Sequence, residues 1–222
     1  MYYKNYFRDI KIGDSSMKGI ICIDGVVGVG KSTLGEILAK EFKITFFREP
    51  VLNNPLLDKF YYDKKRYSFP LQVFFLNKRF EMIKEAERIG SCIMDRSIYG
   101  DVIFAKMLME DGDLSKEEFD IYEELLYNML EHLKKPRLMI YLETSVDNAI
   151  EKIKKRGRDY EQIVEKKYWE SLNKNYTEYF NNYNLSEVLV INVNELDIKE
   201  NPNHQKWFIE QVRVKLETIN TF

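Results

Sequence analysis

An α/β fold built on a mostly parallel sheet is the architecture this sequence predicts. Three observations carry it. Short apolar runs alternate with segments of helical periodicity, the first run leads through a glycine-rich turn into a helix, and no linker or repeat divides the 222 residues. Alternation of this kind implies crossover connections, which set strands in parallel and cover both faces of the sheet. The first strand is read at Gly19 to Asp24, broken by Gly25. The helix after it runs from about Lys31 to Glu41, with Leu34, Ile37 and Leu38 at helical spacing. A second strand, Ile44 to Arg48, is stopped by Pro50, which cannot donate to a ladder. Pro70 is read as the start of an amphipathic helix over Leu71 to Ile89, and Cys92 to Asp95 as the third strand. Ser97 to Met109 reads as helix and Asp111-Gly112-Asp113 as a turn. Ser115 followed by Glu118 forms a capping box that opens a helix from Lys116 to Leu133. Leu138 to Glu143 is the fourth strand and Val188 to Val193 the fifth. Between them lie helices at Val146 to Lys155 and Glu161 to Phe180, and Lys206 to Thr218 is a last helix.

Apolar residues make up 45% of the chain and charged residues 32%, with a formal net charge of -2. That balance suits a globular protein and gives no support to bulk nucleic-acid binding. Cys22 and Cys92 both fall in strand-like runs, the pattern of buried thiols in a reducing compartment. Residues 1–18 read as an N-terminal extension ahead of a single domain at 19–222. Met1 to Met17 lacks the basic, apolar, small-residue order of a secretory signal, and no apolar run approaches the roughly 20 residues of a membrane span. The expected location is the cytoplasm.

The strongest local signal is Gly25-Val26-Val27-Gly28-Val29-Gly30-Lys31-Ser32-Thr33. It has the full G-x-x-x-x-G-K-[ST] spacing between a strand and a helix, the context of a phosphate-binding P-loop. Glycines let the backbone wrap so that N–H groups converge on phosphate oxygens, and the helix N-terminus adds a favourable dipole. Lys31 is placed to reach the transferring phosphates and Ser32 to ligate Mg2+. The expected architecture is therefore a P-loop NTPase fold, a five-stranded parallel sheet flanked by helices on both faces, using ATP and Mg2+. No Asn-Lys-x-Asp guanine-reading motif is evident, which favours a kinase over a GTPase.

Two further strand ends are charged: Arg48-Glu49-Pro50 after the second strand and Asp95-Arg96-Ser97 after the third. In a parallel sheet, residues past the carboxyl ends face the ligand crevice, where the P-loop also lies. A carboxylate there can accept the proton of an incoming hydroxyl. An arginine can hold that carboxylate and stabilise phosphoryl charge. Charge simply facing solvent is the plainer alternative.

With these motifs in place, the sequence resembles the deoxynucleoside kinases, the group of deoxycytidine, deoxyguanosine and deoxyadenosine kinases, over about residues 19 to 195. The resemblance implies that the catalytic residues are Glu49 as base for the 5'-hydroxyl, its companion Arg96, and Lys31. It puts Asp95, where the family often has Glu, near Mg2+ through water. Leu56-Leu57-Asp58-Lys59-Phe60-Tyr61 resembles the segment whose tyrosine bonds the sugar 3'-hydroxyl, which points to Tyr61, with Tyr62 as the frame-shifted alternative. Phe69-Pro70-Leu71-Gln72 resembles the segment whose glutamine pairs with the base. Arg79 matches an arginine near the base and Asp101 its acidic companion. Gln72 and Arg79 lie seven apart, hence on one helix face. Phe75 and Phe104 are candidates for stacking on the base or for core packing, and Phe80 reads as core.

The run Lys152-Ile153-Lys154-Lys155-Arg156-Gly157-Arg158 concentrates positive charge after the fourth strand and a helix. Such a run needs solvent or an anion, and ATP phosphates supply one. In the family this is the lid, about 152–161. Arg156 and Arg158 match its phosphate-contacting arginines, Lys152 stands where relatives often have Arg, and Glu161 matches a glutamate that reaches the sugar 3'-hydroxyl. The resemblance also implies a homodimer acting on a small-molecule deoxynucleoside, with no nucleic-acid or membrane partner. A purine deoxynucleoside, deoxyadenosine or deoxyguanosine, is the favoured acceptor. Deoxycytidine or broad specificity, a thymidylate-kinase-like monophosphate kinase, and a non-catalytic ATP-binding protein are the competing readings.

Overall fold

In the computed structural model, described for residues 18–51 and 54–219, the five strands form one parallel sheet in the order β2-β3-β1-β4-β5. They are β1 Gly19–Asp24, β2 Thr45–Phe47, β3 Ser91–Asp95, β4 Leu138–Glu143 and β5 Val188–Asn192. Central β1 pairs Ile21 with Ile93 of β3 on one side and with Leu138 of β4 on the other. After its first residue every position of β1 and of β3 is buried. A strand buried on both faces cannot alternate polar and apolar side chains, which is why these read as continuous apolar runs. Edge strand β5 is half exposed by contrast. Free Cys22 and Cys92 lie on neighbouring β1 and β3, buried as expected.

The helices are α1 Lys31–Phe42, α2 Leu57–Tyr62, α3 Lys64–Ile89, α4 Asp101–Glu110, α5 Lys116–Leu130, α6 Val146–Arg156, α7 Asp159–Gln162, α8 Lys166–Asn181 and α9 Pro202–Ile219. Helix α1 packs on β1, β2 and β3 with α9 beside it. Helix α3 packs on β1 and β3, backed by α4 and α5, and α8 packs on α4 and α6. The connection leaving β1 runs to β2, whereas that leaving β3 runs to β4 on the opposite side of β1. Strand order therefore reverses at β1 and leaves a crevice at the carboxyl ends there.

Several expected boundaries move. Helix α3 starts six residues before Pro70, capped by Asp63, whose carboxylate accepts from the Arg66 amide at 3.3 Å. Pro70 is tolerated inside it because it lies on the exposed side, where the carbonyl it leaves without a donor meets water. The helix expected over Glu161 to Phe180 is two helices, α7 and α8, interrupted at 163–165. The one expected over Ser97 to Met109 opens as a 3-10 turn at Ile98–Gly100 before α4. The short α2 was not foreseen. Of the expected N-terminal extension, 1–18, all but Lys18 lies outside the described residues.

The Ser115 capping box is present as read: Ser115 Oγ accepts the Glu118 amide at 3.2 Å and Glu118 accepts the Ser115 amide at 2.9 Å. Ser115→Ala removes one of these bonds and is expected to lower stability by about 1 kcal/mol. Urea denaturation should show the lower midpoint, with turnover unchanged.

Candidate active site

The crevice opens into one cleft of about 850 Å3. Its floor is the loop after β1. Gly25, Gly28 and Gly30 all have positive φ, at 146°, 84° and 112°. At Gly28 a Cβ would lie 2.6 Å from the Ala149 carbonyl, so α6 can approach the loop only because no side chain intervenes. Helix α1 begins at Lys31 with Gly30 as its cap, and no side chain satisfies its first amides. Those amides are open to an anion. Val27 to Thr33 line the cleft, while Gly25 and Val26 form the turn beneath. The Lys31 ammonium donates to the Gly25 and Val26 carbonyls, each at 2.9 Å. Burial, reinforced by Arg96, lowers its pKa to about 8.

Glu49 follows β2 and meets two arginines at one oxygen. Its Oε1 lies 2.8 Å from Arg79 Nη2 and 2.9 Å from Arg96 Nε. Burial pushes the carboxyl up, but Arg96, Arg79 and Lys31 outweigh it and bring the pKa to about 2. Arg96 itself is buried and has a left-handed backbone, φ 63°, held by its amide donating to the Ile23 carbonyl at 2.8 Å. Non-glycine residues in this region are uncommon and concentrate where function over-determines the geometry.

Helix α3 forms one wall of the cleft. Its buried stripe runs through Ser68, Leu71, Gln72, Phe75, Leu76, Arg79, Ile83 and Ala86. Gln72 and Arg79 are therefore polar members of an apolar stripe, not surface residues, and both line the cleft with Phe75. The Arg79 guanidinium lies 4.7 Å over the Phe75 ring. Asp101 does not line the cleft: it sits behind Arg79 and accepts from its Nη1. Tyr61 lines the cleft, stacked 5.4 Å from Tyr160, whereas Tyr62 is 70% exposed. Phe104 also lines it, beneath the Arg96 guanidinium at 4.8 Å.

The basic run closes the other side. Lys152, Lys155, Arg156 and Arg158 all line the cleft. Arg156 grips buried Glu161 through two nitrogens, at 2.6 to 3.2 Å, and Arg158 reaches the same carboxylate at 3.2 Å. The arginines and the glutamate expected to contact different parts of the substrates are thus paired with each other. Lys152 reaches across to the Val29 carbonyl of the glycine loop at 3.4 Å.

Ser32 and Asp95 carry the oxygens that would hold a divalent cation. Ser32 Oγ donates to Asp95 Oδ2, and Asp95 Oδ1 is buried without a hydrogen-bond partner. Among the described residues there is no cluster of three His, Cys, Asp or Glu side chains to cage a metal. Mg2+ binds through one or two protein oxygens and completes its shell with phosphates and water, so Ser32 with Asp95 would be enough to hold it.

Sequence reasoning missed two buried side chains, Asp24 and Tyr176. Asp24 was legible in principle, being an acid at the end of an otherwise apolar strand. Tyr176 is one more aromatic on an amphipathic helix and carries no signal of its own.

The family model described as deoxynucleoside kinase matches residues 21–217. The chain belongs to this family. Deoxyadenosine kinase of Lactobacillus acidophilus is 40% identical over 209 residues, covering 90% of this chain and 97% of the relative. Deoxyguanosine kinase of Lactobacillus johnsonii is 36% identical over 212 residues, covering 91% and 95%. A solved structure of deoxyadenosine kinase from M. mycoides with bound dCTP superposes with a TM-score of 0.78 at 34% identity, over 90% of this chain and 99% of that one. The protein is an ATP-dependent deoxynucleoside kinase, and the monophosphate-kinase and non-catalytic readings give way to that family placement.

The charge state of Glu49 has a consequence for stability. Its folded pKa of about 2 lies below its ordinary 4.5. The stabilisation this confers is complete above about 4.5 and is lost as pH falls toward 2. Glu49→Gln should be less stable than wild type at pH 7, and urea denaturation should show that gap narrowing at pH 3. A gap independent of pH would mean the carboxyl is not ionised between its arginines.

Proposed function

We propose that this deoxynucleoside kinase transfers the ATP γ-phosphate to the 5'-hydroxyl of a purine deoxynucleoside, deoxyadenosine or deoxyguanosine. The observation that carries the site assignment is Glu49, held by Arg79 and Arg96 in the same cleft as Lys31 and Gln72. The glycine loop and the first amides of α1 receive the donor phosphates, and Lys31 exchanges its carbonyl partners for phosphate oxygens. Mg2+, when bound, neutralises charge on those oxygens, and Ser32 would hold it with Asp95 acting through water. Arg156 and Arg158 leave Glu161 for the phosphates as the lid over 152–161 closes, with Lys152 adding charge. Glu161 is then released toward the sugar, where Tyr61 also bonds the 3'-hydroxyl.

A carboxylate with a pKa near 2 is a weak base for a hydroxyl at neutral pH. Phosphoryl transfer with a loose transition state asks little of the base until late, so Glu49 chiefly orients the 5'-hydroxyl and takes its proton as the new bond forms. Its Oε1 is occupied by both arginines, and Oε2, with no hydrogen bond to a described residue, is the acceptor. Gln72 presents one acceptor and two donors to a base edge. Arg79, braced by Asp101, fixes the far end of the base, and Phe75 and Phe104 supply flat apolar contact. The purine preference is supported by the names of the two Lactobacillus relatives. Deoxycytidine is the second reading, because the deoxyadenosine kinase of M. mycoides has been solved with dCTP bound. We further propose a cytoplasmic homodimer with no nucleic-acid or membrane partner. No helix of the described residues is long and apolar enough to cross a membrane.

Turnover with deoxyadenosine, deoxyguanosine, deoxycytidine and thymidine, followed by product mass, tests the acceptor. The highest kcat/KM is expected for a purine, and a higher value for deoxycytidine would reverse the order. Glu49→Gln is expected to lower kcat by about 100-fold or more while ATP binding, measured by calorimetry, is retained. Gln72→Ala should instead change kcat/KM unequally among the four acceptors, by about 10-fold or more for the preferred one, because it removes the group that reads the base. An equal loss for all four would remove Gln72 from base recognition.

A further inference from the structure

Behind the cleft lies a chain of buried polar contacts that leads to Arg96. Asp24, the last residue of β1, and Tyr176, on α8, are both fully buried. Asp24 Oδ1 accepts from the Tyr176 hydroxyl at 3.0 Å and from the Gly25 amide at 2.8 Å. A tyrosine hydroxyl has one proton to give. With that proton on Asp24, the oxygen of Tyr176 is left as an acceptor, and Arg96 Nη1 donates to it. Arg96 Nη2 donates to the Gly25 carbonyl at 3.3 Å, and Nε lies against Glu49. Nη1 and Nη2 therefore have separate hydrogen-bonded anchors, and Nε has the ion pair with Glu49 alone. The face of the guanidinium rests over Phe104, with the Tyr176 ring 5.8 Å away.

We infer that Tyr176 and Asp24 are positioning residues that hold the Arg96 guanidinium at Glu49. Neither lines the cleft, so what Tyr176 contributes passes through Arg96, while Asp24 also holds the Gly25 amide, a bond that Asp24→Asn keeps. The arrangement leaves room for little else. The second oxygen of Asp24 is buried against Gly100, where a side chain would collide with it. The Arg96 backbone is already committed to its left-handed conformation. Of the anchors on its fork, the Tyr176 hydroxyl is the one a side-chain substitution can delete without touching the glycine loop or the base. Deleting it frees the fork to tilt away from Glu49, and a small misplacement of a group that acts on the transition state costs rate more than binding. This inference rests on the role proposed for Arg96.

Steady-state kinetics of Tyr176→Phe, with ATP and with deoxyadenosine or deoxyguanosine varied in turn, test it. We expect kcat to fall by about 10- to 100-fold while both KM values stay within about threefold. In an Arg96→Lys background, the same substitution should cost no more than about a further twofold, because the fork it holds is gone. Asp24→Asn keeps an acceptor for Tyr176 and Gly25 but removes the charge. It should show the same division between kcat and KM at smaller size, and it replaces Tyr176→Phe if that variant does not fold. A wild-type kcat for Tyr176→Phe, or a loss that recurs in full in the Arg96→Lys background, overturns the inference while leaving Arg96 in place. A wild-type kcat for Arg96→Lys overturns the role of Arg96 and this inference with it.

Discussion

The contact between Arg96 and Glu49 is the constraint around which the cleft is organised. It joins the end of β3 to the loop after β2, and through Gly25 it reaches the loop after β1. Three strand ends that approach only because the sheet is parallel are thereby tied to one guanidinium. Desolvating such a group is costly unless each donor is met. Here a tyrosine hydroxyl and a backbone carbonyl accept from the two terminal nitrogens, and the charge is balanced by the Glu49 carboxylate beside Nε, which itself makes no hydrogen bond. That is also why Glu49 stays ionised in a partly closed cleft: burial alone would raise its pKa, and the adjacent cations reverse the sign.

A second consequence of the same electrostatics is the composition of α3. An apolar stripe packs the helix on β1 and β3, yet Gln72 and Arg79 interrupt it. Arg79 is tolerated there because Glu49 and Asp101 both accept from it and the Phe75 ring lies against its face. The helix thus serves as a core element along its length and lines the cleft with polar groups where it passes it. Gln72, by contrast, makes no hydrogen bond to a described residue, which leaves its carboxamide available to a ligand.

The basic run at 152–158 meets part of its charge within the chain. Arg156 and Arg158 close on Glu161, which is buried, while Lys154 and Lys155 of the same run remain exposed. Under the proposed mechanism a triphosphate, with more acceptor oxygens and more charge than one carboxylate, takes these arginines over.

The sequence by itself determined the parts whose physics is local. The G-x-x-x-x-G-K-[ST] loop, the five strands and the Ser115 capping box are written in contiguous residues, because backbone freedom, apolar continuity and helix capping are decided within a turn or two. Glu49 and Arg96 were legible as charges at strand ends, since a parallel sheet brings such ends together whatever the details. Tertiary structure alone decided the rest. It set Asp101 behind Arg79, out of the cleft lining, chose Tyr61 over Tyr62 for the cleft, carried α3 back past Pro70, and brought Tyr176 across from α8 to Asp24. Each of these depends on which face of a helix meets which strand, and on residues up to 152 positions apart. Local propensity holds no information about such encounters; only packing the helices on the sheet creates them.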